Sequence, residues 1–192
     1  MTQSFEYTTF NHLWQIACQE AQNSGLSPRS VFGSIGLRLE PPKAPWRYYC
    51  TPKNVRTFAS TGQDGVHYSL LTCSELLYSP VVMTVPMDFD NNNIIVGETL
   101  LEFLCLGSRA GYGSLESLTS LEADFSALKS HAYLPSLSAM QTRHLRTLSE
   151  AFSLYPYVNL ERRMAQLQAM YLDYLQLGER ALVPTAAFSA GR

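Results

Sequence analysis

Apolar and β-branched positions dominate the middle of the chain and predict a sheet there. Val55–Ser60 and residues 66–71 are rich in β-branched and aromatic side chains and flank a segment that ends in an Asp-Gly pair. Asp-Gly favours the positive φ of a tight turn, so the two runs predict an antiparallel hairpin. A proline-led apolar run at 81–85 is typical of a central strand buried on both faces. Residues 94–96 predict a further short strand.

An amphipathic helix precedes this region and a capped helix follows it. Apolar side chains recur at helical spacing near the start of the chain, at Phe10, Leu13, Trp14, Ala17, Cys18 and Ala21. That spacing is typical of one buried helix face. Thr99 and Glu102 have the spacing of a capping box, which predicts a helix that starts at Leu100 and closes at Gly107.

The C-terminal third has a helical pattern. Apolar residues at 121, 125 and 128 predict one helix, and residues 137–155 predict another that stops at Pro156. Asn159 is placed to cap a last helix. The Gly- and Ser-rich stretch at 107–117 is the candidate hinge or subdomain boundary.

These elements together predict an α+β fold. We expect a mixed or mainly antiparallel sheet of about four to six strands, flanked by helices, with a helical C-terminal third. The length of 192 residues suits a single domain, 1–192. Within it, an α+β core over 1–110 carries the N-terminal helix, and a helical extension over 114–182 packs on that core.

Composition excludes some classes of partner. Charged residues make up 16% of the chain, the net charge is −2, and no basic run is present. Sequence-independent nucleic-acid binding depends on Lys and Arg neutralising phosphates, so we expect no nucleic-acid partner. No apolar run approaches the ~20 residues of a spanning helix, and no signal-peptide pattern is visible. We therefore expect a cytoplasmic protein with no membrane partner.

The four cysteines do not have the spacing of a metal site. They stand at 18, 50, 73 and 105 and form no CxxC pair. Free, buried thiols in a reducing cytosol are the expectation, and no metal or other cofactor is predicted.

The three chemical groups of a catalytic triad occur close together near the predicted turn. They are the carboxylate of Asp64, the imidazole of His67 and a hydroxyl from Ser60 or Thr61. Asp64 is a turn residue, His67 lies one step inside a strand, and no GxSxG elbow is present, so the spacing argues against that chemistry. We expect a strand histidine that is partly exposed, or one that is hydrogen-bonded to the turn.

Two further groups are candidates for a binding surface. Trp46, Tyr48 and Tyr49 are aromatics in a loop-like setting, where they either cover the core or contact a partner. Asp88 and Asp90 resemble the start of a calcium loop. The Gly and Glu that an EF-hand requires are missing, so a polar hairpin loop is the expectation.

The middle of the chain resembles the SUKH superfamily over residues 53–106. Residues 58–71 read FASTGQDGVHYSLL, residues 79–83 read SPVVM, and residues 96–104 read VGETLLEFL. The family shows a FASDGGGxxFxxxL segment, a proline-led apolar strand, a polar turn and an xxSFEEFL helix. The resemblance implies an α+β domain without catalysis. Many bacterial members bind a cognate toxin, often a nuclease or a deaminase, and block its active site. No contact residue carries over, because the binding surface varies between members.

Two functional hypotheses follow. The first is a non-enzymatic, cytoplasmic, SUKH-like binding module whose partner is another protein. The specific form of this hypothesis is an immunity protein that neutralises a toxin domain. The second is a small-ligand-binding protein or enzyme with a cleft near Asp64 and His67. The candidate binding surface is Trp46, Tyr48, Tyr49, Asp64, His67, Asp88 and Asp90.

Overall fold

Five strands form one antiparallel sheet in the part of the chain that the structure describes. The structure is a computed structural model that describes residues 3–40, 48–88, 91–119, 137–155 and 159–178. The strands follow one another across the sheet in chain order, β1 to β5. Their bounds are Arg38–Leu39 (β1), Val55–Ser60 (β2), His67–Leu71 (β3), Val81–Thr84 (β4) and Asn93–Gly97 (β5).

The predicted hairpin is confirmed. Strands β2 and β3 pair antiparallel, with Thr57 opposite Ser69 and Ser60 opposite His67, and a bulge interrupts the pairing within β2. Asp64 has a φ of +48° and Gly65 a φ of +74°, the left-handed conformations that this turn requires. Every residue of β4 is buried, as predicted for a central strand covered on both faces.

Helices flank the sheet, as the α+β prediction requires. The four described α-helices are Gln3–Ser24 (α1), Leu100–Gly107 (α2), Ala139–Phe152 (α3) and Leu160–Tyr171 (α4). Short 3₁₀ helices lie at Gly33–Ile35 (η1), Gly113–Thr119 (η2) and Leu172–Tyr174 (η3). The helix predicted around residues 121–128 lies outside the described residues. The predicted subdivision into 1–110 and 114–182 stays a prediction.

An aromatic cluster joins the sheet to α1 and α2. The ring of Phe103 on α2 lies 5.7 Å from Phe58, 4.8 Å from Tyr68 and 5.0 Å from Tyr112, measured between ring centroids. Phe58 also meets Phe10 of α1 at 6.2 Å in an edge-on arrangement. Aromatic rings prefer such tilted contacts at these separations, so one face of the sheet is packed against the two helices.

Two predicted helix caps differ in detail from the structure. The Thr99 hydroxyl accepts from the amide of Glu102, as predicted, but the Glu102 carboxylate accepts from the amide of Glu98 rather than from Thr99. Asn159 occupies the N-cap position of α4 in a left-handed conformation, and its side chain makes no capping bond. Both caps were therefore placed correctly along the chain. Of the predicted bonds, the one from Glu102 to Thr99 is confirmed, whereas the capping bond of the Asn159 side chain is absent.

Candidate functional site

Residues 48–54, here called the cover segment, form hydrogen bonds with buried polar groups of the sheet. The hydroxyl oxygen of Thr51 accepts from the amide of Tyr48 at 2.9 Å and lies 2.8 Å from Nε2 of His67 on β3. The side-chain amide of Asn93 on β5 donates to the carbonyl of Cys50 at 3.0 Å. Buried polar groups require such partners, and here the partners belong to the segment that covers them.

His67 is fully buried, and both of its ring nitrogens contact protein groups. Nδ1 lies 2.8 Å from the carbonyl of Gly65, and a carbonyl can only accept, so Nδ1 carries a proton. In the neutral ring Nε2 is then the acceptor, and the Thr51 hydroxyl donates to it. The ring of Tyr48 stacks on the imidazole at 5.6 Å. Burial lowers the pKa of His67, and the hydrogen bond to Gly65 opposes this shift only in part.

One alternative for His67 is confirmed and the other is wrong. The histidine is hydrogen-bonded to the turn, through Gly65, as expected. It is not partly exposed, because Tyr48 and Thr51 of the cover segment lie over it. A buried, neutral imidazole held on both nitrogens positions the cover segment, and in this arrangement it does not face an external substrate.

A groove of about 300 Å³, here called the turn groove, lies beside the β2–β3 turn. It is lined by Arg38, Glu40, Tyr48, Ser60, Gly62, Gln63, Asp64, Gly65 and Val66. Two glycines allow the side chains of Arg38 and Tyr48 to pack closely against the turn. A Cβ built on Gly62 would lie 2.5 Å from Nε of Arg38, and one on Gly65 would lie 2.7 Å from the Tyr48 ring. Both glycines also have positive φ, so a larger residue is disfavoured twice over.

Asp64 stands close enough to Glu116 for their charges to interact. Burial raises the pKa of the Glu116 carboxyl, and the nearby Asp64 carboxylate raises it further. Glu116 lies on η2 and is 52 positions from Asp64 in the chain, so no sequence pattern joined them. Arg38 and Glu40 were missed for a similar reason. Their place beside the turn follows from the pairing of Arg38 with Ser60, and the register of so short a strand cannot be deduced from its own two residues.

Three exposed apolar side chains lie around the cover segment and are here called the Tyr49 patch. Tyr49 is 71% exposed, Met87 65% and Leu177 57%. The Tyr49 hydroxyl donates at 2.9 Å to the carbonyl of Pro86, the residue that precedes Met87 in the chain. The amide of Lys53 donates to the carbonyl of Gln176 at 2.8 Å, which brings the chain around Leu177 to the same segment.

The structure divides the predicted binding surface into a buried part and an exposed part. Tyr48 and Asp64 line the turn groove, whereas His67 lies beneath Tyr48 and does not. Tyr49 reaches the loop that contains Asp88 through its bond to Pro86. Asp88 is a polar hairpin-loop residue whose carboxylate accepts from the amide of Asn91 at 2.9 Å. Trp46 and Asp90 lie outside the described residues.

The remaining chemistry-bearing groups form no further site among the described residues. All four cysteines are free thiols; Cys50 and Cys105 are buried, and Cys18 and Cys73 are partly buried. Burial raises the pKa of both buried thiols and so disfavours the reactive thiolate. In the described ranges no three His, Cys, Asp or Glu side chains come together as a metal site requires. None of the described helices combines the length and apolar character needed to cross a membrane.

Comparison with family models, with curated proteins and with solved structures found no match to this chain.

Proposed function

We propose that this chain is a non-enzymatic, cytoplasmic protein-binding module that uses the Tyr49 patch and the adjoining turn groove as its contact surface. The observation that carries the proposal is the state of Tyr49. The residue is 71% exposed, and its hydroxyl donates to the carbonyl of Pro86. An aromatic ring held in place before binding offers a large contact area and loses little conformational entropy when a partner docks.

The surroundings of Tyr49 suit a protein partner. Met87 and Leu177 add exposed apolar area, and Tyr, Trp and Met are enriched at the centres of protein interfaces. Beyond Tyr48 the surface changes to the charged groups of the turn groove, Arg38, Glu40 and Asp64. Charges of both signs at the rim of a contact set specificity and association rate more than affinity.

The resemblance to the SUKH superfamily supplies the kind of partner. Under this proposal the chain is an immunity protein, and its partner is the toxin domain that it neutralises. An antiparallel sheet flanked by helices is what the resemblance leads one to expect. The scarcity of Lys and Arg runs is also consistent with a protein partner rather than a nucleic acid.

The test is co-purification with the C-terminal domain of a large toxin encoded beside the gene, followed by titration calorimetry of the complex. We expect Tyr49→Ala to weaken binding by about 30-fold, as truncation of a central aromatic anchor does. Tyr155→Ala is the matched control. Tyr155 is also strongly exposed, at 61%, but its backbone lies beside Cys105 of α2. Helix α2 packs on the sheet face to which Tyr68 belongs, whereas the cover segment contacts the next residue back, His67, on the opposite face.

The outcomes separate the two parts of the proposal. Failure of every neighbouring toxin domain to bind would contradict the immunity role. Binding that Tyr49→Ala and Tyr155→Ala leave equally strong would contradict the Tyr49 patch as the contact surface, while the binding role itself would stand.

A small polar ligand in the turn groove is the second candidate. The groove volume of about 300 Å³ and its opposite charges, Arg38 against Glu40 and Asp64, favour it. Arg38→Met should then abolish a ligand-induced rise in melting temperature that wild-type protein shows with small zwitterionic compounds. Absence of any such rise in the wild type would end this candidate.

A further inference from the structure

The N-terminal half of α3 is attached to the rest of the protein mainly through polar contacts. Of residues 139–144, only His144 is buried, at 1% exposure. The side-chain amide of Gln141 donates to the carbonyl of Ser34 on η1 at 2.9 Å. Nδ1 of His144 lies 2.9 Å from the hydroxyl oxygen of the same serine. These two contacts with Ser34 are here called the α3 latch.

A cavity of about 260 Å³ lies beside the α3 latch. Ser34 and Gln141 are among the residues that line it, and Leu137, just before the helix, is another. The first turn of α3 is therefore not closely packed against η1, and Met140 in that turn is 50% exposed. Segments with few buried apolar contacts are the ones that open locally, so this half of the helix can separate from η1 at small cost.

A chain of polar groups fixes the position of the proton on His144. Nε2 of the ring lies 3.3 Å from Nη2 of Arg143, which lies 3.1 Å from a carboxylate oxygen of Glu20 on α1. A guanidinium group can only donate, so Nε2 is the acceptor. The neutral ring then carries its proton on Nδ1 and donates it to the Ser34 hydroxyl.

A second proton on His144 is incompatible with these contacts. It would sit on Nε2, facing the donors of Arg143, and would place two cations side by side. On the η1 side the ring meets Ser34 and the edge of Phe32, neither of which carries a charge. Burial lowers the pKa of His144 most, Arg143 lowers it further, and the Glu20 carboxylate opposes the shift only in part.

We propose that the α3 latch is an acid-sensitive switch, in which protonation of His144 releases the N-terminal half of α3 from η1 while the sheet stays folded. In neutral solution the ring is uncharged, Ser34 and Arg143 both bond it, and the latch is closed. In the open form the imidazolium reaches water and moves away from Arg143. This inference goes beyond the proposed function, because it concerns another part of the molecule and needs no partner protein.

The direction of the switch follows from the form that binds the proton more tightly. In the open form the pKa of His144 has its ordinary value of about 6.5, and in the closed form the pKa is lower. Opening therefore takes up a proton, and the open population grows as the pH falls below about 6.5. Between about pH 7.5 and about pH 5.5 this growth reaches roughly tenfold.

The test measures amide exchange of residues 143–148 in the full chain at these two pH values. Protection factors remove the intrinsic effect of pH on exchange, and amides of β4, such as that of Met83, report opening of the sheet. A short helix separated from its contacts is marginal in water, so opening exposes the α3 amides. Wild-type α3 should lose roughly tenfold protection in acid and stay less protected than β4. Equal protection in α3 and β4 would show that α3 opens only with the whole fold, and would overturn the proposal.

The decisive variant is His144→Gln, because a carboxamide takes up no proton in this pH range. Its α3 amides should be equally protected at both pH values. The matched control is His12→Gln. His12 on α1 is exposed, and its ring lies 4.8 Å from Phe152 at the other end of α3. His12→Gln should keep the wild-type acid response. An acid response in His144→Gln as large as that of the wild type would refute the latch, as would its loss in His12→Gln.

A second variant keeps the test valid if His144→Gln folds poorly. The side chain of Arg143 is 49% exposed, and Arg143→Met removes one of the two causes that keep the second proton off His144. The closed form of this variant binds that proton more tightly, so acid should open α3 less than in the wild type. An undiminished acid response in Arg143→Met would contradict the proposal.

Discussion

The hydroxyl oxygen of Thr51 lies 2.8 Å from Nε2 of His67, and this pair fastens the cover segment to the sheet. The residue types beside the β2–β3 turn suggested catalysis, but their bonds are directed inward. His67 is bound by Gly65 and Thr51 and covered by Tyr48. The same segment places Tyr49 at the surface, so the buried histidine indirectly positions the proposed contact surface.

Removing the Thr51 hydroxyl should destabilise the protein. Thr51→Val keeps the shape of the side chain but removes the hydroxyl that bonds Nε2 of His67 and the amide of Tyr48. Loss of a hydrogen bond by a buried polar group costs about 1–3 kcal/mol. The free energy of unfolding, measured by urea denaturation, should fall by about that amount. Thr51→Ser retains the hydroxyl and should lose much less. Equal losses for the two variants would show that the methyl group, not the hydrogen bond, matters.

Stability should fall in mild acid because of His67. Burial holds its folded-state pKa below the value of about 6.5 in the unfolded chain. The unfolded chain therefore takes up a proton first, and the free energy of unfolding decreases as pH drops through 6.5 toward the folded-state pKa. His144 has its pKa lowered in the same direction, first by burial and then by Arg143, and adds to the effect.

Urea denaturation at a series of pH values checks this prediction. His67→Gln should lose part of the pH dependence between neutral and mildly acidic solution, and His144→Gln should lose a further part. A wild-type profile that stays flat through this range would contradict the assignment of a neutral, buried His67.

Arg163 should contribute more to stability than an exposed arginine does. Its side chain is 22% exposed and contacts Glu98 and Glu102 at 2.9 and 2.7 Å. We expect Arg163→Met to lower the free energy of unfolding by roughly 1.5–3 kcal/mol, because hydrogen bonds to charged groups are lost and two carboxylates remain close together. Arg146→Met, at an exposed pair with Glu150, should change nothing measurable. Similar losses for both would refute the distinction.

Gly107→Ala should destabilise the packing of Tyr112. A Cβ on Gly107 would lie 2.3 Å from two atoms of the Tyr112 ring, which is fully buried and donates through its hydroxyl to the carbonyl of Leu104 at 3.0 Å. Overpacking of this kind costs roughly 1–3 kcal/mol, which thermal denaturation measures. At Gly113 a Cβ would meet its nearest neighbour at 3.8 Å, so Gly113→Ala is the control and should be nearly neutral.

The local features of the fold were readable along the chain. The hairpin was predicted from two β-rich runs and an Asp-Gly pair, and its turn has the positive φ values that this pair favours. The start of α2 was predicted from Thr99, whose hydroxyl accepts from Glu102 three residues on. Such features depend on residues that are neighbours in the sequence, so periodicity and capping rules can predict them.

The candidate site was only partly predictable. The sequence singled out Tyr48, Tyr49 and Asp64, which the structure places on or beside the turn groove and the Tyr49 patch. Arg38, Glu40 and Glu116 were not singled out, because their place beside Asp64 depends on strand pairing and on packing between distant elements.

The sequence by itself determined the β2–β3 hairpin, the buried strand β4 and the start of α2, since their patterns of burial and capping are set by residues a few positions apart. Only the tertiary structure decided what the polar residues do. Thr51 and His67 are 16 positions apart, and Ser34 and His144 are 110 apart. A hydrogen bond between such residues forms only where packing brings them together. The sequence alone therefore does not distinguish a catalytic histidine from one that holds a loop against the sheet.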